Sequence, residues 1–242
     1  MSSKIIFDIL TIFPEAFESY LNASMIKRGQ AKKLIDIHVH NLRKFTAGKH
    51  KKVDDRPYGG GPGMVLKIEP IVRAIDSILR NSKSKTLNSK QILNSKFKKS
   101  KTLIILFTAA GKQFNATMAS DFAKKYDRII MIAGHYEGVD ERLARVLLQA
   151  TSYKLQTISI GPYVLTGGEL PAMVLVDAVS RHIPGFLGKE ASLEEKRYGV
   201  GVPAYTRPEV FIYCGKKYSV PKLLLSGNHA IIEKWRRKTK KK

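Results

Sequence analysis

The stretch from Ser159 to Pro171, SIGPYVLTGGELP, constrains the fold more than any other part of the chain. Gly161, Gly167 and Gly168 bracket a short apolar piece, and an amphipathic segment follows directly. Glycine allows positive φ and lets another group approach without a Cβ in the way. Pro171 suits the first turn of a helix, where its missing N–H has no intrahelical partner. A glycine-bounded loop delivered onto a helix start is either a tight connection in an α/β core or a pocket for a small polar ligand. A second such loop, Ala133 to Asp140 (AGHYEGVD), also follows an apolar run and favours the pocket.

Around these loops the pattern alternates between strands and helices. Apolar runs at Ile5–Ile12, Ile35–His40, Leu103–Phe107, Arg128–Ala133 and Thr157–Ile160 read as strands. Helical periods cover Glu15–Arg28 (closed by Gly29), Glu69–Leu79, Asn115–Tyr126 and Asp140–Gln149, then the segment after Gly168. Residues 43–63 read as a polar loop. This order predicts an α/β domain with a largely parallel sheet. In open parallel sheets ligands bind beyond the carboxyl ends of the strands, which puts the pocket after Phe107, Ala133 and Ile160. Past Gly188, spaced Gly and Pro read as a linker, followed by a short C-terminal piece from Tyr205.

Charge separates from this frame. The net charge is +23, and residues 80–101 and 234–242 hold 15 of the excess positive charges with no acid among them. The first of these segments repeats Asn-Ser-Lys and reads as a low-complexity insertion, whose plainest role is solubility. Basic segments favour a polyanion, because each neutralised phosphate releases counterions. One cysteine, Cys214, excludes an intramolecular disulfide and suits a reducing compartment. No apolar run has the length of a membrane span or the form of a signal peptide, so a soluble cytoplasmic protein is expected. Glu137, Asp140 and Glu141 suggest a metal site only weakly, since acids at a helix start are stabilised by its dipole; no metal site is predicted. Dinucleotide, P-loop, zinc and nucleophile-elbow motifs are missing from the sequence.

Five separated segments carry a family resemblance: Arg56–Met64 (RPYGGGPGM), Gly134–Arg142 (GHYEGVDER), Ile160–Arg181, Tyr205–Val210 (YTRPEV) and Leu225–Ala230 (LSGNHA). Together they resemble the bacterial tRNA (guanine-N1)-methyltransferases of the SPOUT class, in the right order and over most of the chain. The resemblance implies a SPOUT-type open parallel sheet with a deep trefoil knot formed around Thr108, Gly134 and Ile160–Pro171. It implies residues 1–188 as the knotted cofactor domain, 189–204 as linker and active-site loop, and 205–242 as a small, shortened helical domain that binds tRNA. It also implies a homodimer with the active site at the subunit interface, S-adenosylmethionine as methyl donor, and methylation of the guanosine immediately 3′ of the anticodon. A need for Mg²⁺ stays open.

By the same resemblance, Gly134, Tyr136, Glu137 and Gly138 form one wall of the cofactor pocket. Ile160, Gly161, Pro162, Tyr163, Val164 and Leu165 hold the adenosine, Gly167 and Gly168 turn the chain, and Pro171 starts the next helix. Pro162 departs from the acid that the family often carries there.

Guanine N1 is protonated at neutral pH and charge develops toward O6 as methyl transfer proceeds, so a base and a donor are both required. Arg181 matches the family's arginine and is expected to stabilise O6. Lys196 stands where the family places the aspartate that takes the proton, which leaves the neighbouring Glu195, or Glu194, as the expected base. The alternatives are a knotted RNA-binding protein with weak or lost catalysis, and a methyltransferase acting on another RNA.

Overall fold

The first part of the chain runs through β1 (Ile5–Thr11), β2 (Ile35–Asn41), a small hairpin of β3 (Asp54–Asp55) and β4 (Val65–Leu66), then β5 (Thr102–Gln113), β6 (Arg128–Ile132) and β7 (Lys154–Ser159). Its helices are α1 (Glu18–Leu21), α2 (Ser24–Ala31), α3 (Ile68–Ser84), α4 (Ala116–Lys125), α5 (Arg142–Ala150) and α6 (Glu169–Ser180). The computed structural model describes residues 4–84, 101–150, 154–188, 193 and 201–239. The chain divides into two compact units, Met1–Phe186 and Leu187–Lys242.

Five strands form one sheet in the order β2-β1-β6-β5-β7, and every pairing in it is parallel. β1 and β6 are buried along almost their whole length, as expected for inner strands of a sheet covered on both faces. On one face, α3 presents Ile71, Ala74, Ile75, Ile78 and Leu79 at helical spacing to Leu10, Ile104, Ile130 and Ile132. On the other, α6 packs against α4 and reaches α2 and β1. Burying each such large aliphatic side chain contributes roughly 1.5–3 kcal/mol.

A charge lies deep inside this frame. Asp8, in the middle of β1, is 1% exposed. Its carboxylate accepts from Arg128 Nη1 at 2.5 Å and lies 2.8 Å from His40 Nε2.

Several expected boundaries move. The helix expected over Glu15–Arg28 is three pieces: a 3₁₀ turn at Pro14–Phe17, then α1 and α2. The Asn22 side-chain amide donates to the Glu18 carbonyl at 2.8 Å and ends α1. Gly29 lies inside α2 rather than beyond its end, and it is needed for packing, since a Cβ there would sit 2.4 Å from the Phe186 ring. The polar loop over 43–63 is partly ordered by pairing of Asp54–Asp55 with Val65–Leu66. α3 continues to Ser84, five residues into the basic insertion, while residues 85–100 lie outside the described residues. α5 starts at Arg142, two residues after the expected Asp140. β5 runs past Phe107 to Gln113 through a bulge in which Phe107 and Lys112 both oppose Ile158 of β7. That continuation depends on β7, which lies far along the chain.

The second unit is not simply helical. β8 (Val210–Tyr213) and β9 (Lys216–Ser219) form an antiparallel hairpin, followed by α7 (Lys222–Leu225) and α8 (His229–Lys238). Cys214 and Gly215 both take positive φ (49° and 71°), which is the backbone of a two-residue I′ turn. Asn228 Oδ1 accepts from the Ile231 N–H at 3.2 Å and caps α8. Among the described residues no helix is long and apolar enough to cross a membrane.

Candidate active site

Beyond the carboxyl ends of β5, β6 and β7 the loops enclose a cleft of about 360 Å³. Gly134, Tyr136, Glu137 and Gly138 line it from the loop after β6. Ile160, Gly161, Tyr163, Val164 and Leu165 line it from the loop after β7, and Gly167, Gly168 and Pro171 from the entry to α6. The bulged part of β5 adds Phe107, Thr108 and Ala109. Of the residues expected at the cofactor pocket, Pro162 alone does not line it. Pro171 is the third residue of α6 rather than the first, still within the opening turn.

Short-range geometry holds the loops together. The Gly168 N–H donates to the Gly134 carbonyl at 2.7 Å, and His135 bridges to Gly167. A Cβ on Gly168 would stand 2.6 Å from the Ala133 Cα, so only glycine lets the two segments approach this closely. Ser159 ends β7 by donating from its hydroxyl to the Gly161 carbonyl at 2.8 Å. The Tyr163 ring occupies the space into which a side chain at Gly161 would project.

The glycine-rich Arg56–Met64 segment joins the same neighbourhood. Glu137 N–H donates to Met64 O at 3.0 Å, Leu66 N–H to Gly138 O at 2.9 Å, and Asp140 N–H to Leu66 O at 3.1 Å. The loop after β6 is therefore clamped between β4 on one side and the α6 entry on the other.

Polar groups around the cleft divide by task. Asp140 accepts from the Arg142 backbone N–H at 3.0 Å and pairs with the Arg142 guanidinium at 2.6 Å. That guanidinium holds the Asp140 carboxyl below the ordinary range, and the carboxylate is engaged at the start of α5. Glu137 and Glu141 line the cleft itself. Among the described residues no three His, Cys, Asp or Glu side chains come together as a metal site.

His135 is a lining residue that the sequence did not single out. Its ring stands edge-on to Tyr136 at 4.8 Å and to Phe13 at 4.9 Å. Its Nδ1 is buried without a hydrogen bond and lies 3.9 Å from Glu169 Oε2, while Thr11 donates to the other Glu169 oxygen at 2.8 Å. Thr11 and Glu169 are 158 residues apart, a pairing that no local pattern signals.

The two expected catalytic residues behave differently. Arg181 closes the C-terminal end of α6 and does not line the cleft. The twelve residues of α6 rise about 18 Å at 1.5 Å each, so within one chain Arg181 and the α6 entry stand at opposite ends of the helix. Glu195, with Glu194 and Lys196, lies outside the described residues.

Comparison with known proteins decides the lineage. Residues 5–242 match the family model described as tRNA (Guanine-1)-methyltransferase TrmD. The chain belongs to this family. It is 45% identical over 234 residues to the tRNA (guanine-N(1)-)-methyltransferase of Dictyoglomus turgidum, covering 96% of this chain and 83% of the relative. It is 42% identical over 234 residues to the protein of that name from Carboxydothermus hydrogenoformans, covering 96% and 81%. The Clostridioides difficile protein of that name is also 42% identical, with 96% of this chain and 90% of the relative covered. The cleft described above thus belongs to a TrmD-family chain, and the loops that line it come from the glycine motifs read in the sequence.

Proposed function

We propose that this protein methylates N1 of the guanosine immediately 3′ of the anticodon in tRNA, using S-adenosylmethionine. The observation that carries the reading is that a TrmD-family chain folds its glycine loops around one cleft at the carboxyl ends of three parallel strands. The cleft fits the cofactor: its volume lies in the range of about 300–1,000 Å³ typical of small-molecule sites. Glu137 and Glu141 offer negative charge to a sulfonium, and the glycine-rich backbone offers peptide donors and acceptors to an adenine edge. S-adenosylmethionine supplies an electrophilic methyl group when bound. Gly134, Tyr136, Glu137 and Gly138 would hold it from one wall, and Ile160, Gly161, Tyr163, Val164 and Leu165 from the other. Pro162 stiffens that second loop without facing the ligand.

In this reading the loops after β5, β6 and β7 form the deep trefoil knot of the SPOUT class. The close approach of Gly168 to Ala133 and Gly134 supports a crossing there. Arg181 donates to guanine O6 as charge develops on it. Because α6 separates Arg181 from the cleft of its own chain, the reading requires a homodimer in which that cleft works with Arg181 of the partner subunit. Glu195, or Glu194 beside it, removes the N1 proton in place of the aspartate that Lys196 displaces. Residues 205–242 bind tRNA, and the enzyme acts in the cytoplasm.

The test is methyl transfer from labelled S-adenosylmethionine to two tRNA transcripts that differ only in G or A immediately 3′ of the anticodon. Incorporation into the G form alone supports reaction, substrate and position together. No incorporation into either, with the cofactor still bound, replaces the reading with that of an RNA-binding protein that has lost catalysis, the outcome that Lys196 would explain. Glu195→Gln should lower the transfer rate while leaving cofactor affinity intact. Unchanged rates in both Glu195→Gln and Glu194→Gln exclude these glutamates as the base.

A further inference from the structure

Outside the cleft, the β8–β9 hairpin of the second unit carries side chains that the fold does not use. Phe211 opposes Tyr218, and Tyr213 opposes Lys216. Directly opposed residues share a face of an antiparallel pair, so Phe211, Tyr213, Tyr218 and Lys216 project together. Val210, Ile212, Lys217 and Ser219 take the other face. The three aromatic residues are 57%, 62% and 55% exposed. The rings of Phe211 and Tyr213 lie within 9° of parallel, with centroids 6.4 Å apart.

A scattered surface aromatic needs no explanation, but three on one face of a ribbon form a patch that a partner would cover. The ribbon is also well defined. Its I′ turn at Cys214 and Gly215 matches strand twist, and the Val220 N–H donates to the Glu209 carbonyl at 2.9 Å to close the open end.

Charge selects the partner. Lys216 shares the aromatic face, and residues 201–239 carry eight Lys or Arg against only Glu209 and Glu233. An apolar protein surface would gain nothing from those lysines. Unpaired RNA presents flat base faces and phosphates together, and duplex RNA hides its base faces inside the stack. We infer that Phe211, Tyr213 and Tyr218, with Lys216 beside them, form a stacking platform for unpaired bases of the RNA substrate. This rests on the reading of the protein as one that acts on RNA, and it adds where and how unpaired nucleotides are held.

The test uses the full chain carrying Phe211→Leu and Tyr213→Leu together, which keeps apolar bulk and removes both flat rings. Binding to a tRNA transcript, to oligoadenylate and to an RNA duplex with the same number of phosphates is read by fluorescence anisotropy. Thermal unfolding and far-ultraviolet circular dichroism monitor the fold. Loss of base stacking should weaken oligoadenylate and tRNA binding by roughly tenfold or more, while duplex binding holds. The exchange Phe211→Tyr with Tyr213→Phe should bind as the parent does, because both rings remain.

Three results overturn the platform: unchanged oligoadenylate affinity, an equal loss on the duplex, or a change in self-association with RNA binding intact. The last would make the face a protein interface. A parent protein that binds oligoadenylate through these rings but methylates neither transcript leaves the platform standing and removes the proposed reaction. A parent that methylates the G transcript while the double variant binds RNA normally does the reverse.

Discussion

Replacing Gly168 with alanine tests the central geometric claim about the cleft, that its two walls are held apart by no more than a glycine. The added Cβ would lie 2.6 Å from Ala133 Cα, 2.9 Å from Gly134 N and 3.0 Å from Ala133 C. All three are backbone atoms, and carbon pairs are comfortable only at about 3.5–4.0 Å, so one wall must retreat by close to an ångström. Overpacking of this kind costs about 1–3 kcal/mol. The retreat also breaks the 2.7 Å hydrogen bond from Gly168 to Gly134, worth about 0.5–1.5 kcal/mol. The sum is about 1.5–4.5 kcal/mol, which for a unit of this size lowers Tm by about 3–18 °C. Calorimetric unfolding and isothermal titration with S-adenosylmethionine measure the two consequences, lost stability and lost cofactor affinity. Gly48→Ala is the control: nothing lies within 4 Å of a Cβ there, and the expected change is within about 0.5 kcal/mol. If Gly168→Ala unfolds and binds like the Gly48→Ala protein, the claimed contact between the loops is wrong.

Arg128→Met should destabilise the protein by about 3–5 kcal/mol, because it leaves the buried Asp8 charge without its guanidinium; pairing it with Asp8→Asn should recover part of the loss in denaturant unfolding. Tyr20 donates to the Asp177 carboxylate, and that hydrogen bond first, then burial and the carboxylate's charge, push its pKa up to about 12 from 10.0. The raised value means that this contribution to stability is fully present below pH 10 and fades as pH rises through about 12. In an ultraviolet titration one tyrosine should ionise after the others, and a late phase that survives in Tyr20→Phe would show that the assignment is mistaken. His135→Ala should weaken cofactor binding by removing the edge-on support of Tyr136, with His135→Phe restoring most of it; equal affinity in all three proteins would show that the ring is incidental.

What the sequence made legible was local in its physics. The close approach of Gly168 to Ala133 could not be read, but Gly161 and Gly167 answer to Tyr163 and Glu169, each two residues on, so the loop could be read before any distant contact was known. The same holds for Asn115, whose side chain accepts from the Met118 N–H at 2.9 Å and starts α4 where the pattern put it. The hairpin of the second unit was also local, yet it was missed because Cys214 occupies a turn position usually held by Asn, Asp or Gly. The remaining features depend on residues brought together only by the sheet order. Asp8 interrupts an apolar strand, and its sequence position alone says only that a charge is out of place. Its partner Arg128 lies 120 residues away and reaches it because β6 pairs beside β1. The Phe107–Lys112 bulge likewise has meaning only against Ile158. Arg181 is the instructive case: its motif was legible, but its distance from the cleft follows from the length and direction of α6. A motif carries the identity of a side chain, whereas where that side chain stands relative to the cleft is decided by the helix that holds it.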